Sequence, residues 1–253
     1  MRLKPYLLSV LFTLLLMITG CASTEQSASA QLSDSQFETK VLEIIRKNPQ
    51  VILDSVQSYQ KSQAQQEDQL RNKLLSQIRQ EPRLLLRNSP VTGSASQKII
   101  FAEFSDFQCP YCARGHAVVK EFMAKNQNDV TLVFKHFPIA DIHPQAEPAA
   151  FASWAALQQG KFWEYQDGLF EQQSRLGEDF YLELANTLKL DITRFNRDRQ
   201  SQEAKDAIKK DFELGKSVGV RGTPSFLVNG IFFSGVPEIK DLESLIAQVK
   251  EGK

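Results

Sequence analysis

The residues best equipped for chemistry are Cys109 and Cys112, two thiols separated by Pro110 and Tyr111. An apolar run, Lys98–Glu103, comes before them and reads as a buried strand; Ala113–Met123 follows and reads as a helix. The pair therefore sits where a strand turns into a helix. There Cys109 falls at or beside the N-cap and Pro110 at the first helical position, where its missing N–H costs nothing. Free N–H groups and the positive end of the helix dipole stabilise a thiolate at that point. Cys109 is expected to ionise more readily than an ordinary cysteine and to act as both nucleophile and leaving group. Cys112 lies about one helical turn further in, within disulfide reach of Cys109. The chemistry this spacing supports is thiol–disulfide exchange, with Cys109 attacking and Cys112 resolving.

Other uses of the pair fit less well. Structural zinc takes four ligands; with Cys21 set aside as a lipid site, His116, His136 and His143 are the remaining candidates and no fourth ligand is evident, so no metal is assigned. Haem attachment needs histidine straight after the second cysteine, where Ala113 stands. An iron–sulfur cluster lacks thiolates. A purely structural disulfide across so short a loop adds little entropic stabilisation.

Several elements must position the pair. Glu103, six residues before Cys109, alternates with Ala102 and Phe104 and is expected to point inward beneath the cysteines. A carboxyl in an apolar site has a raised pKa and can move protons to and from a nearby thiol. Ser89–Gly93 reads as a short edge strand and Val130–Phe134 as a second buried strand, with Lys135 as a solvated strand end. From His143 to Val218 the pattern is almost wholly helical, an inserted subdomain. Val220–Val228 carries Gly222-Thr223-Pro224, then the hairpin signal Asn229-Gly230 and Ile231–Phe233. A proline there opens a strand or carries a cis bond; beside the cysteine pair, cis is expected. Val236–Val249 is the closing helix.

The N-terminal third has a different character. Arg2 and Lys4 precede an apolar segment, Tyr6–Ile18, too short for a comfortable membrane span, which ends in Ile18-Thr19-Gly20-Cys21. This resembles the lipobox of bacterial lipoproteins: residues 1–20 form a signal peptide and Cys21 carries the lipid. Export would place the chain in an oxidising compartment, and Ala22 after the cysteine favours the outer membrane by the Gram-negative sorting rule. Residues 21–33 read as a flexible tether. Residues 34–88 read as a helical extension, interrupted at Asn48-Pro49, with an apolar stripe and a polar middle, Gln60–Asp68. It either folds back on its own catalytic domain or pairs with a second copy; a Gln-rich helical arm favours a homodimer. The 30 basic and 30 acidic residues balance, so nothing points to nucleic acid.

Residues from about 89 to 250 resemble the DsbA family of bacterial thiol–disulfide oxidoreductases: an α/β, thioredoxin-like fold with a helical insertion, here about 143–218, preceded by the helical extension. The matching pieces are Glu103, Phe107-Gln108-Cys109-Pro110-Tyr111-Cys112, the insertion, and Gly222-Thr223-Pro224. The resemblance implies Cys109 as nucleophile, Cys112 as resolving thiol, Glu103 as buried acid, and Thr223, Pro224 and Tyr111 as substrate-binding residues. It implies that the proline turn faces the cysteines, with the Thr223 backbone pairing with a substrate peptide as an added strand. No cofactor is implied beyond the redox-active Cys109–Cys112 disulfide. The implied partners are exported proteins with cysteines and a membrane redox partner. The intervening pair is Pro-Tyr rather than the Pro-His of the strongest oxidases, and a threonine before the proline resembles the isomerase-type members. The second reading of the chain is a lipid-anchored binding or chaperone protein with a non-catalytic disulfide, which would need none of Glu103, Cys109, Cys112 and Pro224.

Overall fold

The computed structural model describes residues 33–251. The signal peptide, Cys21 and most of the tether therefore lie outside the described residues. Two compact units are present, one ending at Gln60 and one beginning at Lys61. The boundary expected near residue 88 falls inside the second.

The first unit holds α1, Asp34–Lys47, and the start of α2, Pro49–Gln80. Ser33 and Gln36 close a capping box at the head of α1, satisfying donors that the first turn leaves unpaired. Asn48 ends α1, and Pro49 restarts the helix at a position where its ring is tolerated.

In the second unit the later turns of α2 are apolar on one side. Ile78, with Leu74 and Leu75, joins a core that includes Leu85 of the 3₁₀ turn Pro82–Leu85, Ile100, Phe104 and Leu227. This end of the arm thus folds back on the domain. A mixed sheet follows in the order β1-β3-β2-β4-β5, built from Val91–Gly93, Ile99–Ser105, Val130–His136, Ser225–Val228 and Ile231–Ser234. Strands β2 and β3 pair in parallel; the other pairs are antiparallel. Helix α3, Pro110–Asn126, makes the crossover that a parallel pair requires. Every residue of β2 and β3 is buried, as expected of central strands covered on both faces.

The insertion is α4, Ala146–Leu157; α5, Phe162–Glu171; a 3₁₀ turn, Gln173–Arg175; α6, Glu178–Thr187; α7, Ile192–Arg199; and α8, Gln202–Val218. The closing helix α9, Ile239–Lys250, packs with α3 on the sheet face opposite the end of α2. The Asn229-Gly230 turn has both residues at positive φ, 45° and 87°. Gly230 is also bare for a second reason, since a Cβ there would collide with the Arg79 side chain and the Leu75 carbonyl of α2.

One sequence expectation is corrected. Lys135 is no solvated strand end: it is 0 % exposed, with its ammonium 2.9 Å from Asp211 and 2.6 Å from Ser89 Oγ. Asp211 lies on α8, so a helix 76 residues downstream supplies the counter-charge.

Candidate active site

Cys109 caps α3 with extended backbone angles, and Pro110 takes the first helical position. The Cys109 carbonyl accepts the first bonds of the helix, from the N–H groups of Cys112 at 3.0 Å and Ala113 at 3.2 Å. Both cysteines are free thiols, Cys112 fully buried and Cys109 nearly so. The Asp106 N–H donates to Cys112 Sγ at 3.5 Å, and Cys109 Sγ, while protonated, donates to the Thr223 carbonyl at 3.4 Å. The Thr223–Pro224 bond is cis. Strand β4 begins after it, at Ser225, so the Thr223 backbone lies outside that ladder and faces the cysteine. Gly115 lets α3 approach this turn, since a Cβ would stand 3.3 Å from Pro224 Cγ.

The two thiols differ electrostatically. A hydrogen bond from the Cys112 thiol, helped by Thr223 and by the N–H groups of Cys112 and Tyr111, holds Cys109 down at about 5, against the opposing effect of burial. Burial, then the neighbouring Cys109, pushes Cys112 far above the ordinary thiol range. Near neutral pH the site therefore holds a thiolate at the outer sulfur and a thiol at the inner one.

Glu103 lies in β2 between Phe134 of β3 and Phe226 of β4. It is fully buried, and neither carboxyl oxygen has a hydrogen-bond partner among the described residues. Burial raises its pKa to about 7, where a carboxyl can both give and take a proton. Tyr111 is exposed, with the Arg114 guanidinium 4.5 Å above its ring.

Two further residues hold the turn together. Buried Asp106 accepts from the N–H groups of Gln108 at 2.8 Å and Ile139 at 2.9 Å, and meets His143 Nδ1 at 2.8 Å. Gln173, from the 3₁₀ turn of the insertion, donates through Nε2 to the carbonyls of Phe107 at 2.7 Å and Cys109 at 2.9 Å. The adjacency of Asp106 to the cysteine motif is a sequence signal that could have marked it as a turn former; nothing local marks Gln173.

A thioredoxin-like sheet with two cysteines at a helix N-terminus opposite a cis-proline turn defines a class, and comparison with known proteins gives the same one. Residues 86–248 match the family model described as Thioredoxin, and the chain belongs to that family. A thioredoxin-like oxidoreductase from Silicibacter pomeroyi is similar at 30 % identity and TM-score 0.61, over 65 % of this chain and 94 % of that one. The thiol-disulfide exchange protein alpha-DsbA2 from Wolbachia pipientis shares the fold at 20 % identity and TM-score 0.61, over 72 % of this chain and 97 % of its own. ScsC from Proteus mirabilis shares it at 18 % identity and TM-score 0.60, over 88 % of this chain and 99 % of its own. Among curated sequences, Na(+)/H(+) antiporter NhaA 3 of Salinispora tropica is 34 % identical over 156 residues, which is 62 % of this chain and 24 % of the antiporter. The chain thus spans about a quarter of the curated relatives it matches. No helix among the described residues is long and apolar enough to cross a membrane.

Proposed function

We propose that the chain is an exported protein thiol–disulfide oxidoreductase that forms or isomerises disulfides through Cys109 and Cys112. The observation that carries this reading is the asymmetry of the pair: an outer sulfur at the helix terminus, held at about 5 beside the Thr223 carbonyl, and an inner sulfur that stays protonated. A client thiolate attacks Cys109 of the oxidised pair; the Cys109–Cys112 bond breaks, and Cys112 leaves and takes a proton from Glu103. A second client thiolate attacks the client sulfur of the mixed disulfide and expels Cys109 as a stable thiolate. The client gains a disulfide and loses two electrons, which the reduced pair passes to a membrane redox partner. For isomerisation the reduced Cys109 starts the sequence by attacking a client disulfide. Thr223 and Pro224 hold the client strand, and exposed Tyr111 borders its path.

The test is equilibration of the pair with glutathione, read by thiol trapping. A potential of roughly −120 to −180 mV marks a disulfide donor or isomerase, and one near about −270 mV a reductase. Cys109→Ser is expected to abolish exchange and Cys112→Ser to accumulate mixed disulfides. A pair that never equilibrates refutes the reading.

We also propose attachment to the periplasmic face of the outer membrane through acylated Cys21, tested by loss of labelled palmitate from Cys21→Ser. Self-association of the arm is supported by large apolar side chains that stand exposed on it, among them Phe37, Ile44, Ile52 and Val56. Sedimentation of wild type and Ile52→Asp tests it; identical monomers would refute it.

A further inference from the structure

Beside the redox turn lies a groove that none of the chemistry above uses. It has a volume of about 840 Å³ and runs between the segment after β3, Phe137–Asp141, and helix α8. Its floor is apolar: Phe137, Ile139, Phe151, Ile208, Phe212 and Val220. The Phe137 and Phe212 rings stack at 4.5 Å, which makes that floor firm. Its charges are unequal. Lys205, Lys209, Lys216 and Arg221 stand along it against two carboxylates, Asp141 and Glu147. These cations are largely unspent. Lys209 reaches Glu213 only at 3.8 Å, Lys216 lies over the Phe212 ring, and Lys205 and Arg221 form no ion pair among the described residues.

The groove is tied to the redox turn at two points. The Ile139 N–H is bound to Asp106, whose carbonyl accepts the Cys109 N–H at 3.1 Å. Arg221 borders both this groove and the smaller hollow along Gly222–Ser225, where the Thr223 carbonyl meets the Cys109 sulfur. Two residues of extended chain span at most about 7 Å, so the Arg221 edge of the groove lies within a few residues' reach of a polypeptide laid beside Thr223.

We propose that this groove is a client subsite that selects an extended polypeptide segment bearing a large apolar side chain flanked by acidic residues, close to the client cysteine. The apolar floor supplies affinity and the cationic side supplies the choice of charge. The inference rests on the redox reading, and the test separates the two. Three reduced peptides with a single cysteine are compared: one continues into Leu-Asp-Glu, one into Leu-Lys-Lys, one into Ser-Asp-Glu. Each reacts with the oxidised protein at about 0.15 M salt, where distant charges are screened, and glutathione is run in parallel. Leu-Asp-Glu differs from Ser-Asp-Glu only in the buried apolar side chain and is expected to react about tenfold faster; it differs from Leu-Lys-Lys only in one or two exposed ion pairs and is expected to react about threefold faster. In the double variant Lys205→Glu/Lys209→Glu the preference of Leu-Asp-Glu over Leu-Lys-Lys is lost or inverted. In Lys125→Glu, a charge reversal on α3 outside the groove, it is kept. Equal rates for the three peptides while glutathione still reacts overturn the subsite and leave the redox reading standing. A preference unchanged in Lys205→Glu/Lys209→Glu also overturns it. Failure of glutathione itself overturns both.

Discussion

The low pKa of Cys109 has a named cause, and removing that cause should move it. The largest contribution is the hydrogen bond from the Cys112 thiol; the backbone N–H groups of Tyr111 and Cys112 add less. A hydrogen bond to a charged group contributes about 1.5–3 kcal/mol, and each pH unit corresponds to 1.36 kcal/mol. Cys112→Ala should therefore raise Cys109 from about 5 by roughly one to two units. Cys112→Ser keeps a donor at the same place and should raise it less. The assay is the pH dependence of Cys109 alkylation in the reduced protein, checked against thiolate absorbance in the far ultraviolet. Thiolate stabilisation also makes the reduced fold more stable as pH rises between about 5 and the ordinary thiol value of 9.0, because only the unfolded chain binds the proton there. Cys112→Ala should narrow that window from its acid side. A wild-type midpoint near 9 would refute the geometric argument altogether. A midpoint that stays near 5 in Cys112→Ala would show that Thr223 and the helix terminus hold the thiolate without Cys112.

Three other perturbations follow from the buried groups. Glu103 keeps its proton up to about 7 against an ordinary 4.5, so the stability it contributes is complete below pH 4.5 and lost as pH rises through 7; Glu103→Gln should erase that slope, a relative gain of about 3 kcal/mol at alkaline pH in urea titrations. His136 is buried with neither ring nitrogen hydrogen-bonded among the described residues, and burial lowers its pKa from 6.5 to about 4. Its contribution is intact above pH 6.5 and falls by about 3 kcal/mol as pH drops through 4, a loss that His136→Leu should abolish. Lys135→Met strands the Asp211 carboxylate without its partner and should cost about 3–5 kcal/mol in urea unfolding; a cost under 1 kcal/mol would mean the pair is solvated after all.

What the sequence made legible is what short-range rules govern. The strand before the cysteines, the proline at the start of α3 and the Asn229-Gly230 turn each announce themselves within a few residues. Glu103 was expected inside from period-two alternation, but every residue of β2 is buried, so its burial comes from a central strand covered on both faces. Lys135 was misread because its counter-ion arrives on α8, 76 residues away, and no local pattern reports such a partner. Gln173 was invisible for the same reason: a glutamine in a helical stretch has no mark that says its amide will reach Cys109. The division of the arm was hidden too, since Leu74, Leu75 and Ile78 continue the same stripe as Val56 and yet pack into the domain.

The position of Gln173 bears on how far the molecule can be simplified. Its amide supports the turn from the insertion side, and Phe107, Cys109 and Cys112 share one apolar cluster with Tyr165, Phe170 and Tyr181 of that insertion. A trimmed protein with α4 to α8 excised would keep the sheet, α3 and the cysteine motif. It would also bare the back of Cys112, hydrate that buried sulfur, and leave the Phe107 carbonyl without its Gln173 donor. The insertion is thus the rear wall of the reaction chamber, and a shortened scaffold has to replace that wall before it can inherit the chemistry.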